Sequence, residues 1–261
     1  MSSKTSPPWK EVVEKTLAEN MKQGSKDSLN IQLATMPVPG ASQHPSVRTV
    51  VFRGFVGQPR KDDEPSGGNP IKDVTSSLIV ASSDRLMLKS EQILQQQKSG
   101  SGNGFEVCWW HQGTQEQIRL SGRAWLLTSN QDENASFPEK RLRDLIDVPQ
   151  DGDKWTWEGE RRRQFAKHSP GLRASFQNPH PASPLTHEKE EAVKAGITLP
   201  GSLEEAKDEE EAGKVKEALK RFCLVILECE EVDYLKSEPF PPARKQWKLQ
   251  NGEWSTQEVS P

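Results

Sequence analysis

Pro45-Ser46-Val47-Arg48-Thr49-Val50-Val51-Phe52-Arg53-Gly54-Phe55 is the stretch that decides how this chain folds. Its β-branched and aromatic residues favour an extended strand, and Gly54 offers a point where that strand can stop or bend. Just upstream, Leu29-Asn30-Ile31-Gln32-Leu33-Ala34-Thr35-Met36 alternates with period two and predicts a partner strand. Pro37 to Pro45 between them is rich in Pro, Gly and Ser, which suits a hairpin connection. Ahead of the pair, Pro7-Pro8-Trp9 opens a helix with Trp9, Val12, Val13, Leu17 and Met21 at helical spacing.

Downstream, residues 57–75 read as a polar surface loop, Ser77 to Ser82 as a strand, Lys89 to Gln97 as a short helix and Gly100 to Gly104 as a turn. Phe105 to His111 and Glu116 to Thr128 read as long strands. In the second, Ile118, Leu120, Gly122 and Ala124 share one face, and Gln117, Arg119, Ser121 and Arg123 the other. Residues 138–147 and 158–177 read as helices, the latter interrupted at Pro170, and 179–218 as a polar, charged, partly helical insertion. Phe222-Cys223-Leu224-Val225-Ile226-Leu227 is a continuous apolar run, suited to a strand buried on both sides. The tail carries Trp247 and Trp254. Five or six strands with hairpin-like links predict a mainly β architecture with peripheral helices (α+β): an antiparallel barrel, one domain over 1–261.

A net charge of -3 argues against bulk electrostatic binding to nucleic acid or anionic membrane. The mean hydropathy of -0.81 implies much solvated loop, and no apolar run reaches the ~18 residues of a membrane span. Met1 to Lys10 lacks the apolar core of a secretory signal, so a cytoplasmic chain is expected. Cys108, Cys223 and Cys229 form no C-x-x-C pair, and the first and second read as free thiols in apolar strands. The histidines His44, His111, His168, His180 and His187 have no metal-ligand spacing. His168-Ser169-Pro170 is too local for a catalytic triad, and Ser169 reads as a helix cap or kink. Ser99 to Gly104 lacks the phosphate-loop patterns. Of Trp109 and Trp110, adjacent in a strand, one is expected in the core.

One constellation remains. Arg48 and Arg53, five residues apart, fall on opposite faces of a regular strand, so both reach one anion only if the end near Gly54 turns. Lys89 stands at the start of a helix, where an ammonium and backbone N–H groups suit a phosphate dianion. By spacing alone these read as solvated basic residues; a phosphate cradle is the alternative.

The ordered motifs resemble a known family. Gln32-Leu33-Ala34-Thr35 with Pro45 to Phe55, then Trp109-Trp110 with Glu116 to Ala124, are similar to the flavin-contacting strands of pyridoxamine 5′-phosphate oxidase-like proteins. Ser169-Pro170-Gly171-Leu172-Arg173-Ala174-Ser175-Phe176 and the Trp-bearing tail resemble a subgroup distinct from the authentic oxidases. The resemblance spans roughly residues 8 to 178 and 219 to 261 and implies an FMN-binding split β-barrel, a homodimer with FMN at the subunit interface, and flavin-dependent oxidoreductase activity. It assigns the phosphate to Arg48 and Lys89, with Arg53 on the same flavin strand. The flavin edge falls to backbone at Val50 and Val51, with Thr49 also counted as cofactor-binding, a hydroxyl to Ser83 beside Ser82, and a ring contact to Gln117 of the partner subunit. Leu88 stands where the family often has a second basic residue, with Arg85 nearby as a substitute. Ser169 replaces an arginine of the oxidases, and of their C-terminal Arg-x-His-x-Arg only Arg244 has a counterpart. A flavin-binding protein without catalysis is the other reading.

Overall fold

The computed structural model describes residues 6–24, 26–38, 44–58, 74–100, 102–148, 155–194 and 197–261. Most of the 57–75 loop, the middle of the 37–45 link and Ser101 of the 100–104 turn lie outside them.

Helix α1 (Pro8–Lys22) buries Trp9 and Val13 and leads through a 3-10 turn into β1 (Asn30–Thr35). Strand β1 pairs antiparallel with β2 (Ser46–Val51), Leu33 opposite Arg48 and Gln32 opposite Thr49. Strand β1 also pairs with β5 (Asn103–His111), which pairs with β6 (Glu116–Leu127). Strand β8 (Phe222–Lys236) pairs with β6, and along its first half with β4 (Ile79–Asp84). Its second half pairs with β9 (Ala243–Gln250), which forms a hairpin with β10 (Glu253–Val259). All these pairings are antiparallel, as the hairpin-like links predict.

The regular ladder is open between β2 and β4. Strand β2 stops at Val51, and Gly54 adopts φ +105°, a left-handed conformation favouring glycine. The chain turns there and meets β4 through three backbone hydrogen bonds: Arg53 N–H to the Val80 carbonyl, Val80 N–H to Gly54, and Val56 N–H to Leu78. This short seam brings the two ends of the curved sheet together.

Two cores result. Ile31, Leu33, Val107, Trp109, Ile118, Leu120, Ala81, Val225 and Leu227 fill the barrel. Val80, Leu224, Ile226 and Phe222 face outward into a second cluster. That cluster is covered by α5 (Trp157–Ala166), α6 (Pro170–Ser175) and α8 (Glu209–Arg221). Every residue from Phe222 to Leu227 is fully buried, which is why that run has no polar alternation. Trp109 is core and Trp110 is 40% exposed, dividing the pair as strand alternation requires.

Several expectations need correction. The helix expected over 138–147 is only α4 (Glu139–Arg143), following α3 (Gln131–Asn134). Ile146–Asp147 leaves it as β7 to pair with β3 (Thr75–Ser76), burying Ile146. There are ten strands among the described residues, not five or six. The tail supplies β9 and β10, whose polar outward positions hide the strand pattern. The charged stretch holds α7 (His187–Lys194), but its last turns belong to α8, where Val215 and Ala218 are fully buried. Cys108 is half-buried on the outer sheet face rather than in the core. Ser169 caps α6, its hydroxyl accepting from Leu172 N–H, and the interruption at Pro170 is real.

Candidate functional site

Helix α2 (Leu88–Lys98) lies against the barrel end, and Gln92 on it organises the first group of site residues. The Arg48 guanidinium donates to the Leu33 carbonyl at 3.2 Å, to Thr35 Oγ1 at 2.6 Å and to Gln92 Oε1 at 3.3 Å. All three acceptors are neutral. Burial lowers the Arg48 pKa, with no carboxylate to offset it. Lys89, one helical turn before Gln92, is half-buried, and its ammonium makes no hydrogen bond or ion pair among the described residues. Its pKa is lowered, first by burial and further by the charge of Arg48. Cys223 lies close, but complete burial pushes that thiol up to about 12, so it is uncharged at neutral pH. Asp84 also lies within reach, and it is already paired with Arg221. Met87, before α2, provides no side-chain cap; its carbonyl accepts from the Ser90 and Glu91 N–H groups, which leaves those of Leu88 and Lys89 for another acceptor. Two neighbouring cations without a counter-charge, beside a helix N-terminus, form a site for an anion.

The other basic and hydroxyl residues are distributed differently. Arg53 follows the turn out of β2, and its charge acts on His168, so the two arginines have different neighbours. Ser82 Oγ lies 2.8 Å from His168 Nε2. Ser83 faces the opposite way, is 5% exposed, and its hydroxyl is engaged with Ser90 Oγ at 2.9 Å and the Asp84 carbonyl at 3.1 Å. Arg85 is no substitute for a second phosphate cation. It is held by Glu133 at 2.8 Å and Glu91 at 3.2 Å, which raise its pKa. Leu88 is 63% exposed and contributes no charge.

Thr49 is exposed and Val51 half-buried on the outer sheet face, while the Val50 side chain is buried in the barrel. Trp110, Gln117, Leu235 and Arg244 form one cross-strand row on that outer face. Gln117 Oε1 accepts a weak bond from Cys108 Sγ at 3.7 Å. Arg244 is clamped by both oxygens of Asp233, at 2.9 and 2.7 Å, which lowers the Asp233 pKa. Within one chain, then, Arg48 and Lys89 come together, whereas Gln117 and Arg244 lie on the opposite side of the wall from Arg48. Sequence reasoning missed Gln92 and His168. Gln92 was findable, three residues after Lys89 on the same helical face; His168 meets Ser82 from 86 residues away and leaves no local signal. Among the described residues no group of His, Cys, Asp and Glu is arranged to hold a metal ion.

Residues 6–128 match the family model of the pyridoxamine 5′-phosphate oxidase FMN-binding domain, and every element of the Arg48–Lys89 site lies inside that span. Over this span the chain is similar to that family. The chain is 27% identical over 228 residues to pyridoxine/pyridoxamine 5′-phosphate oxidase 2 of Arabidopsis thaliana, covering 87% of this chain and 82% of the relative. A solved structure of a pyridoxamine 5′-phosphate oxidase-related, FMN binding protein from Nostoc punctiforme superposes with TM-score 0.63 at 23% identity, covering 98% of this chain and all (100%) of that one. PhzG from Burkholderia lata, solved with tetrahydrophenazine-1-carboxylic acid, superposes with TM-score 0.55 at 16% identity over 100% of both chains. These two likenesses establish the split-barrel fold. The family's cofactor is FMN, and the uncompensated Arg48–Lys89 pair fits its phosphate. No helix among the described residues is long and apolar enough to cross a membrane.

Proposed function

We propose that this protein is an FMN-dependent oxidoreductase, a homodimer in which each flavin is held by residues of both copies. The observation that carries the reading is the pair of cations, Arg48 and Lys89, half-buried beside one another, neither of them ion-paired among the described residues, with the nearby Asp84 engaged by Arg221. A dianionic phosphate screens the repulsion between them and offsets the hydration both groups have lost. Thr35 and Gln92 fix the direction of the Arg48 guanidinium before the ligand arrives, so little side-chain entropy is lost on binding. Bound flavin would supply reversible two-electron chemistry, accepting hydride from an organic substrate. The chain supplies binding, orientation and exclusion of water.

The sidedness of the sheet supports the dimer. Gln117 and Arg244, on the outer face, can reach a ligand held by Arg48 and Lys89 only if they come from a second copy. That face exposes Val47 at 67%, Trp110 at 40% and Met36 at 55%, apolar surface of the kind protein interfaces cover. The Arabidopsis relative, named as an oxidase, supports redox chemistry and makes pyridoxamine 5′-phosphate the first substrate to assay. Ser169, standing where the oxidases carry an arginine, supports a different one.

The test begins with the purified full-length chain. A yellow flavin spectrum, dimeric mass by light scattering, and reduction of the bound flavin by a substrate amine or alcohol are expected. A colourless protein that gains no thermal stability from added FMN refutes the proposal. A flavin spectrum without turnover of pyridoxamine 5′-phosphate removes that substrate alone.

A further inference from the structure

His168 is 3% exposed and sits between α5 and α6, outside the Arg48–Lys89 group. Its Nδ1 lies 2.7 Å from the backbone carbonyl of Gln164, and its Nε2 lies 2.8 Å from Ser82 Oγ. A carbonyl only accepts, so Nδ1 must carry the ring proton. In the neutral ring Nε2 is then bare, and the Ser82 hydroxyl must donate to it. That use of its single proton leaves Ser82 with lone pairs alone to offer any ligand.

We propose that His168 is a positioning residue that locks Ser82 as a hydrogen-bond acceptor toward the flavin. Ser82 then takes a ribityl hydroxyl or a ring N–H and turns no donor toward the phosphate. The inference rests on the flavin reading above and adds Ser82, with a fixed polarity, to the residues of that site. The ring keeps its neutral form because burial, then the charges of Arg53 and Arg173, hold its pKa down to about 3. The positive groups surrounding it thus protect the acceptor role across the neutral range. Rings of Phe176 and Phe222 stand edge-on to His168 and fix its plane, with centroids 6.2 and 5.3 Å away.

The experiment compares wild-type protein with Ser82→Ala, His168→Phe, His168→Gln and the Ser82→Ala/His168→Phe double variant. Each full-length chain is titrated with FMN and with riboflavin by flavin fluorescence. A lost neutral hydrogen bond is expected to weaken both ligands about fivefold to tenfold in Ser82→Ala. His168→Phe should match it, and the double variant should be no worse than either. His168→Gln, which keeps an acceptor, should recover part of the loss. Histidine ring ¹⁵N spectra should show one bare nitrogen on His168 with FMN bound. If Ser82→Ala weakens FMN but not riboflavin, or if the bound ring carries two protons, the hydroxyl serves the phosphate and the inference is wrong. FMN binding unchanged in Ser82→Ala overturns it as well, even if His168→Phe fails to fold. If wild-type protein binds no flavin at all, the proposed function falls and takes this inference with it.

Discussion

Replacing Lys89 by methionine separates affinity from stability, and the two should move in opposite directions. A charge-assisted hydrogen bond contributes about 1.5–3 kcal/mol, and a pair of unit charges ~4 Å apart near a protein surface interacts by about 4 kcal/mol. Much of the desolvation cost of Lys89 is already met in the free chain, where burial depresses its pKa. The phosphate therefore gains most of the bond's strength, and Lys89→Met should lose about 2–3 kcal/mol of binding, roughly a 30- to 150-fold rise in Kd. The free protein responds differently. Methionine keeps the apolar stem and removes a charge that opposes Arg48, so folding should be unharmed or slightly improved. Fluorescence titration with FMN gives the first quantity and thermal melting without ligand gives the second. The reasoning is refuted if the variant binds FMN within threefold of wild type. It is equally refuted if the ligand-free variant melts more than about 4 °C lower, a loss on the order of 1 kcal/mol or more for a chain of this size.

Further outcomes are expected. Lys89 has a lowered pKa in the free protein, and a bound dianion raises it, so binding takes up a proton. FMN affinity should accordingly fall with rising pH from below the ordinary lysine value of 10.5, and Lys89→Arg, charged throughout, should lose that alkaline limb; identical pH profiles for the two proteins would count against the assignment. In Gly122→Ala the new Cβ would lie 2.1 Å from the Glu228 carbonyl oxygen and 2.8 Å from Glu230 N, both backbone atoms, at φ +157°. That clash should cost about 2–4 kcal/mol, read as a lower urea midpoint, and an unchanged midpoint would mean that the backbone relaxes freely at the register shift between Ser121 and Gly122 in the β6–β8 pairing. Phe222→Ala opens a cavity between Phe165, Phe176 and His168 and should cost about 3–5 kcal/mol by the same measurement.

The barrel was legible because its walls obey simple alternation. Ile31 and Leu33 point inward and Asn30, Gln32 and Ala34 do not; Phe222 to Leu227 dispenses with alternation because both sides are covered. The tail was opaque for the converse reason. Strand β10 shows little alternating burial, with Trp254 packing on Trp9 as its anchor, so period-two patterning is weak. Residues 138–147 misled because Leu142 and Ile146 are spaced like a helix, yet Ile146 is buried by a two-residue pairing with a distant segment. Lys89 and Arg48 could be nominated from sequence and resemblance, but not their lack of counter-ions. That property depends on Asp84 being drawn to Arg221, and Arg85 to Glu133, and both pairings are long-range. The resemblance gives the hydroxyl contact to Ser83 and says nothing of what surrounds either serine. Strand alternation sends one to His168 and the other into the helix base.

The seam joining residues 53–56 to 78–80 has a mechanical consequence. Only three main-chain bonds bridge it, while the neighbouring ladders run for six residues or more on β1–β2 and β4–β8. Arg48 precedes the seam on one of the two joined segments, and Ser82 and Lys89 follow it on the other. A molecule gripping both sides would work as a clasp across the weakest line of the wall. Amide protons at Arg53, Val56 and Val80 would then report cofactor loading directly, exchanging fast in the empty chain and slowly in the filled one.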